Sequence, residues 1–207
     1  MSETPESITA LIPAVLRGET EAIDSWYRTE HPQVYRLCLG FLCDTNDADD
    51  VAQDAMLHLL DRLYRYDTQL AYEPWRTSVV LNLCRDRQRQ TDARKRAENS
   101  AANALGEKIE GDAAMGTGRY VSRPDQEAER GEVNQLLTDC LRELTPRERE
   151  VFVLRDLSQL STNRVAKLLD IGESSVRSLL ALARRRVRMI LEPKLAEPLN
   201  ERGLPNV

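Results

Sequence analysis

The chain has 207 residues, with 34 Asp and Glu against 29 Lys and Arg, and a formal net charge of −5. Charged residues make up 30% of it and hydrophobic ones 41%, with 2 Phe, 2 Trp and 6 Tyr, a balance that suits helices and disfavours a β-sandwich. It is long enough for one large or two small domains, has no apolar run of the roughly 18 residues a membrane span needs, and opens on MSETPESITA, which has neither the basic nor the apolar stretch of a secretion signal.

A cytoplasmic protein without membrane insertion is therefore expected, and Cys38, Cys43, Cys84 and Cys140 are read as reduced thiols. Apolar residues recur at three and four along the N-terminal part: Leu11 and Val15; Ala22, Ile23, Trp26 and Tyr27; Val34, Leu37, Cys38, Phe41 and Leu42; Val51, Ala55, Leu59, Leu60 and Leu63. This period marks the buried stripes of successive helices. Asp44 to Asp47 is a break able to cap the helix that follows. A second break, Arg65 to Glu73, precedes Pro74, Trp75 and a further series at Val79, Val80 and Leu83, giving a bundle of about four helices.

Charge is distributed in blocks. Aspartates stand at 44, 47, 49, 50, 54 and 61 with no Lys or Arg between them, whereas Arg85, Arg87, Arg89, Arg94, Lys95 and Arg96 face only Asp86 and Asp92. Separate acidic and basic faces allow one chain to meet a protein on one side and a polyanion on the other, in spite of its negative net charge.

Residues 97–131 contain glycines 106, 111, 116, 118 and 131, Pro124 and few large apolar side chains, and are read as a flexible linker. Neither GxGxxG nor GxxxxGK[ST] occurs in them. Helical periodicity resumes at Val133, Leu136, Leu137, Cys140, Leu141 and Leu144. Thr145-Pro146-Arg147-Glu148 has the form of a capping box with proline at the first helical position. Ser161 or Thr162 can cap a short helix bearing Val165, Ala166, Leu168 and Leu169, and Asp170-Ile171-Gly172 turns the chain into a long helix ending near Leu191. This is a helix-turn-helix pattern. On its last helix Val176, Leu180, Ala183, Val187 and Ile190 face a core, while Arg177, Ala181, Arg184 and Arg188 form an outward stripe, with Ser174, Ser175 and Ser178 at the end where a recognition helix meets bases and phosphates.

The stretch from Leu141 to Val187 resembles the C-terminal, promoter-reading domain of extracytoplasmic-function sigma factors of the sigma-70 family. DADDVAQDAMLHL resembles that group's acidic helix for the β′ clamp helices of RNA polymerase, and Trp75 with Asn82, Asp86 and Arg89 resembles its segment for reading and melting the minus-ten element. The resemblance implies an all-α protein of two small helical domains, 1–96 and 132–192, the second holding the helix-turn-helix, with a linker at 97–131 and a tail at 193–207. It further implies core RNA polymerase (β′ clamp helices and β flap) and promoter DNA as partners, an anti-sigma protein as inhibitor, no cofactor and no catalytic residue.

The residues fit those roles physically. Asp47, Asp50 and Asp54 share a helix face with Gln53 nearby, and can present carboxylates to a basic surface. As a paired-carboxylate active site they lack the apolar pocket that separates pKa values. Tyr64, Tyr66 and Tyr72 flank or sit in the loop before Trp75, where aromatic planes can hold an unstacked base; Trp75 itself is read mainly as core. Asn82 both donates and accepts, and suits a base edge; Arg85, Arg87 and Arg89 suit phosphates.

For the minus-thirty-five element the candidates are Ser174, Ser175, Arg177, Ser178, Leu179, Arg184 and Arg188. Leu179 and Leu182 stand where the resemblance leads one to expect arginines, and Arg164 replaces an acid, so contacts to thymine methyl groups or to a protein come into play. His31, Cys38, Cys43 and His58 lack the spacing of a zinc site, so no metal is expected. The rival reading is a helix-turn-helix regulator independent of polymerase, which would need neither the acidic helix nor the Trp75–Asn82 spacing.

Overall fold

The computed structural model describes residues 8–67, 70–105 and 135–201, and of 101–105 and 194–201 the backbone alone. The described residues are all-α, with no strand among them. The chain divides into two compact units, Met1–Tyr120 and Val121–Val207.

In the first unit α1 (Ile8–Leu16), α2 (Thr20–Leu42), α3 (Thr45–Arg62) and α4 (Tyr72–Leu105) form a bundle in which α2 packs against the other three helices. The apolar stripes meet there: Ile12, Trp26, Val34, Cys38, Val51, Ala55, Leu59, Val80 and Cys84 are all buried. At the α2–α3 corner Cys43 takes a left-handed conformation (φ 55°) and donates its N–H to the Leu39 carbonyl. Asp44 then caps α3, its carboxylate accepting the Asp47 N–H at 2.9 Å. This is the local device the acidic break calls for. A 3-10 turn, Leu63–Arg65, ends α3.

Buried polar groups tie α2 to α4. Arg76 donates to both carboxylate oxygens of Glu30, at 3.2 and 3.4 Å, and Trp26 Nε1 donates to the Tyr72 hydroxyl at 3.3 Å. Glu30 is fully buried; loss of water raises its pKa, and Arg76 only partly offsets this.

Helix α4 passes Arg96 and runs to Leu105, whereas the sequence reading places a linker from residue 97. Ala97, Ala101, Ala102 and Ala104 are strong helix formers, so the helix persists where large apolar side chains run out. The Arg94–Glu98 pair at 2.7 Å supports it. Residues 106–131 of that linker lie outside the described residues.

The second unit contains a helix over 135–142 (α5), α6 (Pro146–Phe152) continued by a π-turn Val153–Leu157, α7 (Thr162–Leu169) and α8 (Glu173–Glu201). The capping box forms in both directions: Glu148 N–H donates to Thr145 Oγ1 at 3.4 Å, and Thr145 N–H donates to Glu148 Oε2 at 3.0 Å. Ser161, not Thr162, caps α7. Arg149 donates to the carbonyls of Leu141, Arg142 and Leu144 at 2.9, 3.4 and 3.3 Å, satisfying the end of α5. Val151, Leu154, Val165, Leu169, Val176, Leu180 and Ala183 form the core.

Asp170-Ile171-Gly172 forms the turn between α7 and α8, as the sequence implies. The left-handed residue is Asp170 (φ 53°), and a Cβ on Gly172 would meet only Ser174 Oγ at 3.6 Å and Ser175 Oγ at 3.9 Å. Asp tolerates this region better than most side chains. Helix α8 also continues through Pro193 and Pro198 to Glu201, beyond the end expected near Leu191, although each proline lacks an N–H for the helix ladder. The tail 193–207 is thus helical as far as Glu201, and 202–207 lie outside the described residues.

Candidate functional site

Three surfaces carry the candidate residues. On α3, Ala48, Val51, Ala52 and Ala55 turn inward, which leaves Asp50, Gln53, Asp54, Leu57 and Asp61 exposed. Asp50, Asp54, Leu57 and Asp61 recur at four, three and four, so they form one stripe. Leu57 is 68% exposed, an apolar side chain set among carboxylates. The sequence reading did not single it out, although its spacing from Asp50 and Asp54 could have marked it.

Asp47 is only half-exposed, because Arg87 of α4 reaches across to it. Arg87 Nε donates to Asp47 Oδ1 at 2.8 Å, and Nη2 donates to Asp50 Oδ2 at 2.7 Å. These carboxylates, Asp47 first, hold the guanidinium above its ordinary pKa. Asp49 turns instead toward buried His31: burial raises the aspartate and lowers the histidine, and the attraction between them opposes both shifts.

The second surface surrounds the start of α4. Tyr66, Tyr72 and Trp75 cluster with ring centroids 5.5, 5.0 and 5.5 Å apart. Tyr66 and Tyr72 are buried and Trp75 half-buried, whereas Tyr64 is 59% exposed with the Arg65 guanidinium 5.0 Å from its ring centre. The Tyr66 hydroxyl donates to the Leu70 carbonyl. Of these four aromatics Tyr64 alone is strongly exposed, and the other three pack on one another. Asn82 is exposed two turns beyond Trp75, on the same side of α4. Arg85 is half-buried, and Arg89 is exposed with an Asp86 pair at 2.6 Å.

The third surface is the first half of α8. Ser174, Ser175, Arg177 and Ser178 are exposed, Leu179 is half-buried and Leu182 is 49% exposed. Arg177 lies 3.5 Å from Glu173. Arg184 is held by both oxygens of Asp156, at 2.8 and 2.6 Å, while Arg188 is exposed and without an ion pair among the described residues. Arg186, which the sequence reading passed over, binds Glu148 at 2.7 Å and ties α8 to the capping box. Among the described residues no group of His, Cys, Asp and Glu could hold a metal ion, and no helix is long and apolar enough to cross a membrane.

Comparison with known proteins matches residues 26–94 to the family described as Sigma-70 region 2 and residues 134–187 to Sigma-70, region 4. The chain belongs to the sigma-70 family of sigma factors. It is 29% identical to the ECF RNA polymerase sigma factor SigM of Mycobacterium tuberculosis over 87% of this chain and 83% of that one. It is 25% identical to the RNA polymerase sigma-H factor of Pseudomonas aeruginosa over 94% and 98%. Among solved structures, CnrH in complex with the cytosolic domain of CnrY shares the fold, with a TM-score of 0.57 at 19% identity over 89% of this chain and 97% of that one. The sigma factor RpoE of Bartonella quintana, in complex with the anti-sigma factor NepR, gives 0.53 at 18% over 80% and 94%. The acidic and aromatic surfaces of this sigma factor fall within the region 2 match, and the first half of α8 within region 4.

Proposed function

We propose that this sigma factor docks on core RNA polymerase through the exposed stripe of α3, reads and opens the minus-ten element with Tyr64, Trp75 and Asn82, and reads the minus-thirty-five element with the start of α8. It initiates transcription at chosen promoters and performs no chemistry of its own. The observation that carries this reading is the stripe Asp50, Gln53, Asp54, Leu57 and Asp61: acidic and apolar side chains exposed together, in the same unit as exposed Asn82. Such a surface suits a basic protein partner, and a DNA-binding helix needs no such face.

On α8 the exposed serines and Arg177 suit base edges and phosphates, and Arg188 suits phosphates alone. Half-buried Leu179 leaves Leu182 as the more accessible apolar contact. The β′ clamp helices take the α3 stripe, the β flap takes the second unit, and an anti-sigma protein competes for these surfaces; the protein works in the cytoplasm beside the polymerase. The test is assembly followed by transcription. The purified chain should co-elute with core enzyme and start transcripts at defined sites on genomic templates, and DNA binding without co-elution would return the protein to the class of polymerase-independent regulators.

A further inference from the structure

The double ion pair of Arg87 has two unequal halves. Asp47 and Arg87 are 30% and 32% exposed at their side chains, so their 2.8 Å bond lies in a partly desolvated groove between α3 and α4. Asp50 is 65% exposed, and its 2.7 Å bond to the same guanidinium lies at the rim. Coulomb attraction strengthens as water is excluded, so the inner bond is the durable one and the outer bond exchanges readily with solvent or with another cation. Held by Asp47, the Arg87 fork stays beside Asp50 and returns to it whenever the outer bond opens.

Asp50 belongs to the stripe assigned above to polymerase docking, and in the free protein one of its two carboxylate oxygens is already bonded to Arg87. We propose that Arg87 masks Asp50, and that docking of the polymerase transfers this carboxylate from Arg87 to a cationic group on the polymerase. The inference rests on the α3 docking reading and adds an intramolecular competitor to it. It also gives Arg87 a task different from the phosphate contact its place in a basic run implies.

The two roles differ in sign when polymerase binding is measured without DNA. A phosphate contact predicts no change on replacing Arg87, and a role in holding the α3 carboxylates in place predicts weaker binding. Masking predicts tighter binding. Core affinity is measured by competition for the full chain and for Arg87→Gln, which retains a hydrogen bond for Asp47 and releases Asp50, with helical circular dichroism and melting confirming the fold. An exposed pair is worth little, so the expected gain is about two- to fivefold, and it should vanish in the Asp50→Asn background. Arg87→Lys keeps the charge but cannot span both carboxylates, and should gain as well.

Unchanged or weaker binding of Arg87→Gln overturns the proposal, as does a gain in Gln that is absent in Lys, which would be a field effect of the lost charge. If Arg87→Gln shows no gain while Asp50→Asn and Asp54→Asn each weaken binding, masking fails and the docking reading stands. If neither aspartate variant changes affinity, the docking reading itself fails.

Discussion

Arg184 closes a two-point ion pair on Asp156, with Nε and Nη2 at 2.8 and 2.6 Å from the two carboxylate oxygens. Asp156 lies in the π-turn that continues α6, so the bond fixes the outward stripe of α8 to the end of α6. The pair occupies the cation that lies between Arg177 and Arg188 on the stripe that the proposed reading sets against DNA.

Removing the clamp should therefore release a phosphate donor. Asp156→Asn is expected to raise holoenzyme affinity for duplex promoter DNA about two- to fivefold and to steepen the salt dependence by about one contact. Arg184→Ala should show the opposite trend, alike for every promoter. Titration at several salt concentrations reads both, and equal slopes in all three proteins would leave Arg184 as a structural tie only.

Leu57 is expected to anchor the polymerase contact. A large apolar side chain that is exposed in the free protein and lies at the centre of a charged stripe loses little on folding when truncated, and loses most where a partner buries it. Leu57→Ser should weaken core binding about tenfold. Since Leu57 is 68% exposed in the free protein, its melting temperature should hardly move. A fall in melting temperature that matches the loss of affinity would argue against a contact role.

Asn82→Ala should leave stability within about 0.5 kcal/mol, since the side chain is exposed. Open-complex formation should fall more on duplex than on pre-melted promoter DNA, because holding a flipped base matters most when the enzyme must break the pair. Permanganate footprinting of the bubble distinguishes this from equal losses on both templates, the mark of a phosphate or folding role.

His31 should make stability pH-dependent in a known direction. Burial holds its folded-state pKa below the ordinary 6.5, with Asp49 opposing only in part. The unfolded chain then binds the proton more readily, so this contribution is complete above pH 6.5 and is lost as pH falls through the lower folded value. Melting measured from pH 7.5 downward should fall more steeply for the natural chain than for His31→Gln, in a sample otherwise identical. Parallel curves would show that His31 titrates alike in both states.

Most helices and their starts were legible along the chain because they depend on neighbours within a turn or two. The Asp44 cap, the Thr145–Glu148 box and the apolar periods of α2, α3 and α8 act over that range, and the helix-turn-helix follows from them. A cap also explains why the corner at Cys43 could be placed without knowing that its backbone is left-handed. The left-handed position of the turn before α8 falls on Asp170, and α4 persists to Leu105 because a run of strong helix formers continues it past the last large apolar residues.

The charge pattern made the acidic and basic surfaces visible, but not which of their members are already engaged. Arg87 and Asp47 are 40 positions apart, Arg184 and Asp156 28, and Arg76 and Glu30 46. No sequence period links such pairs, because their meeting depends on which faces of which helices the core brings together. The same packing buries Tyr66 and Tyr72 while leaving Tyr64 outside, although all three stand in one short stretch. Sequence by itself determined the helices, their caps and the family of the chain, through interactions among near neighbours; the tertiary structure alone decided which charges and rings remain open to a partner, because solvent exposure is a property of the packed surface.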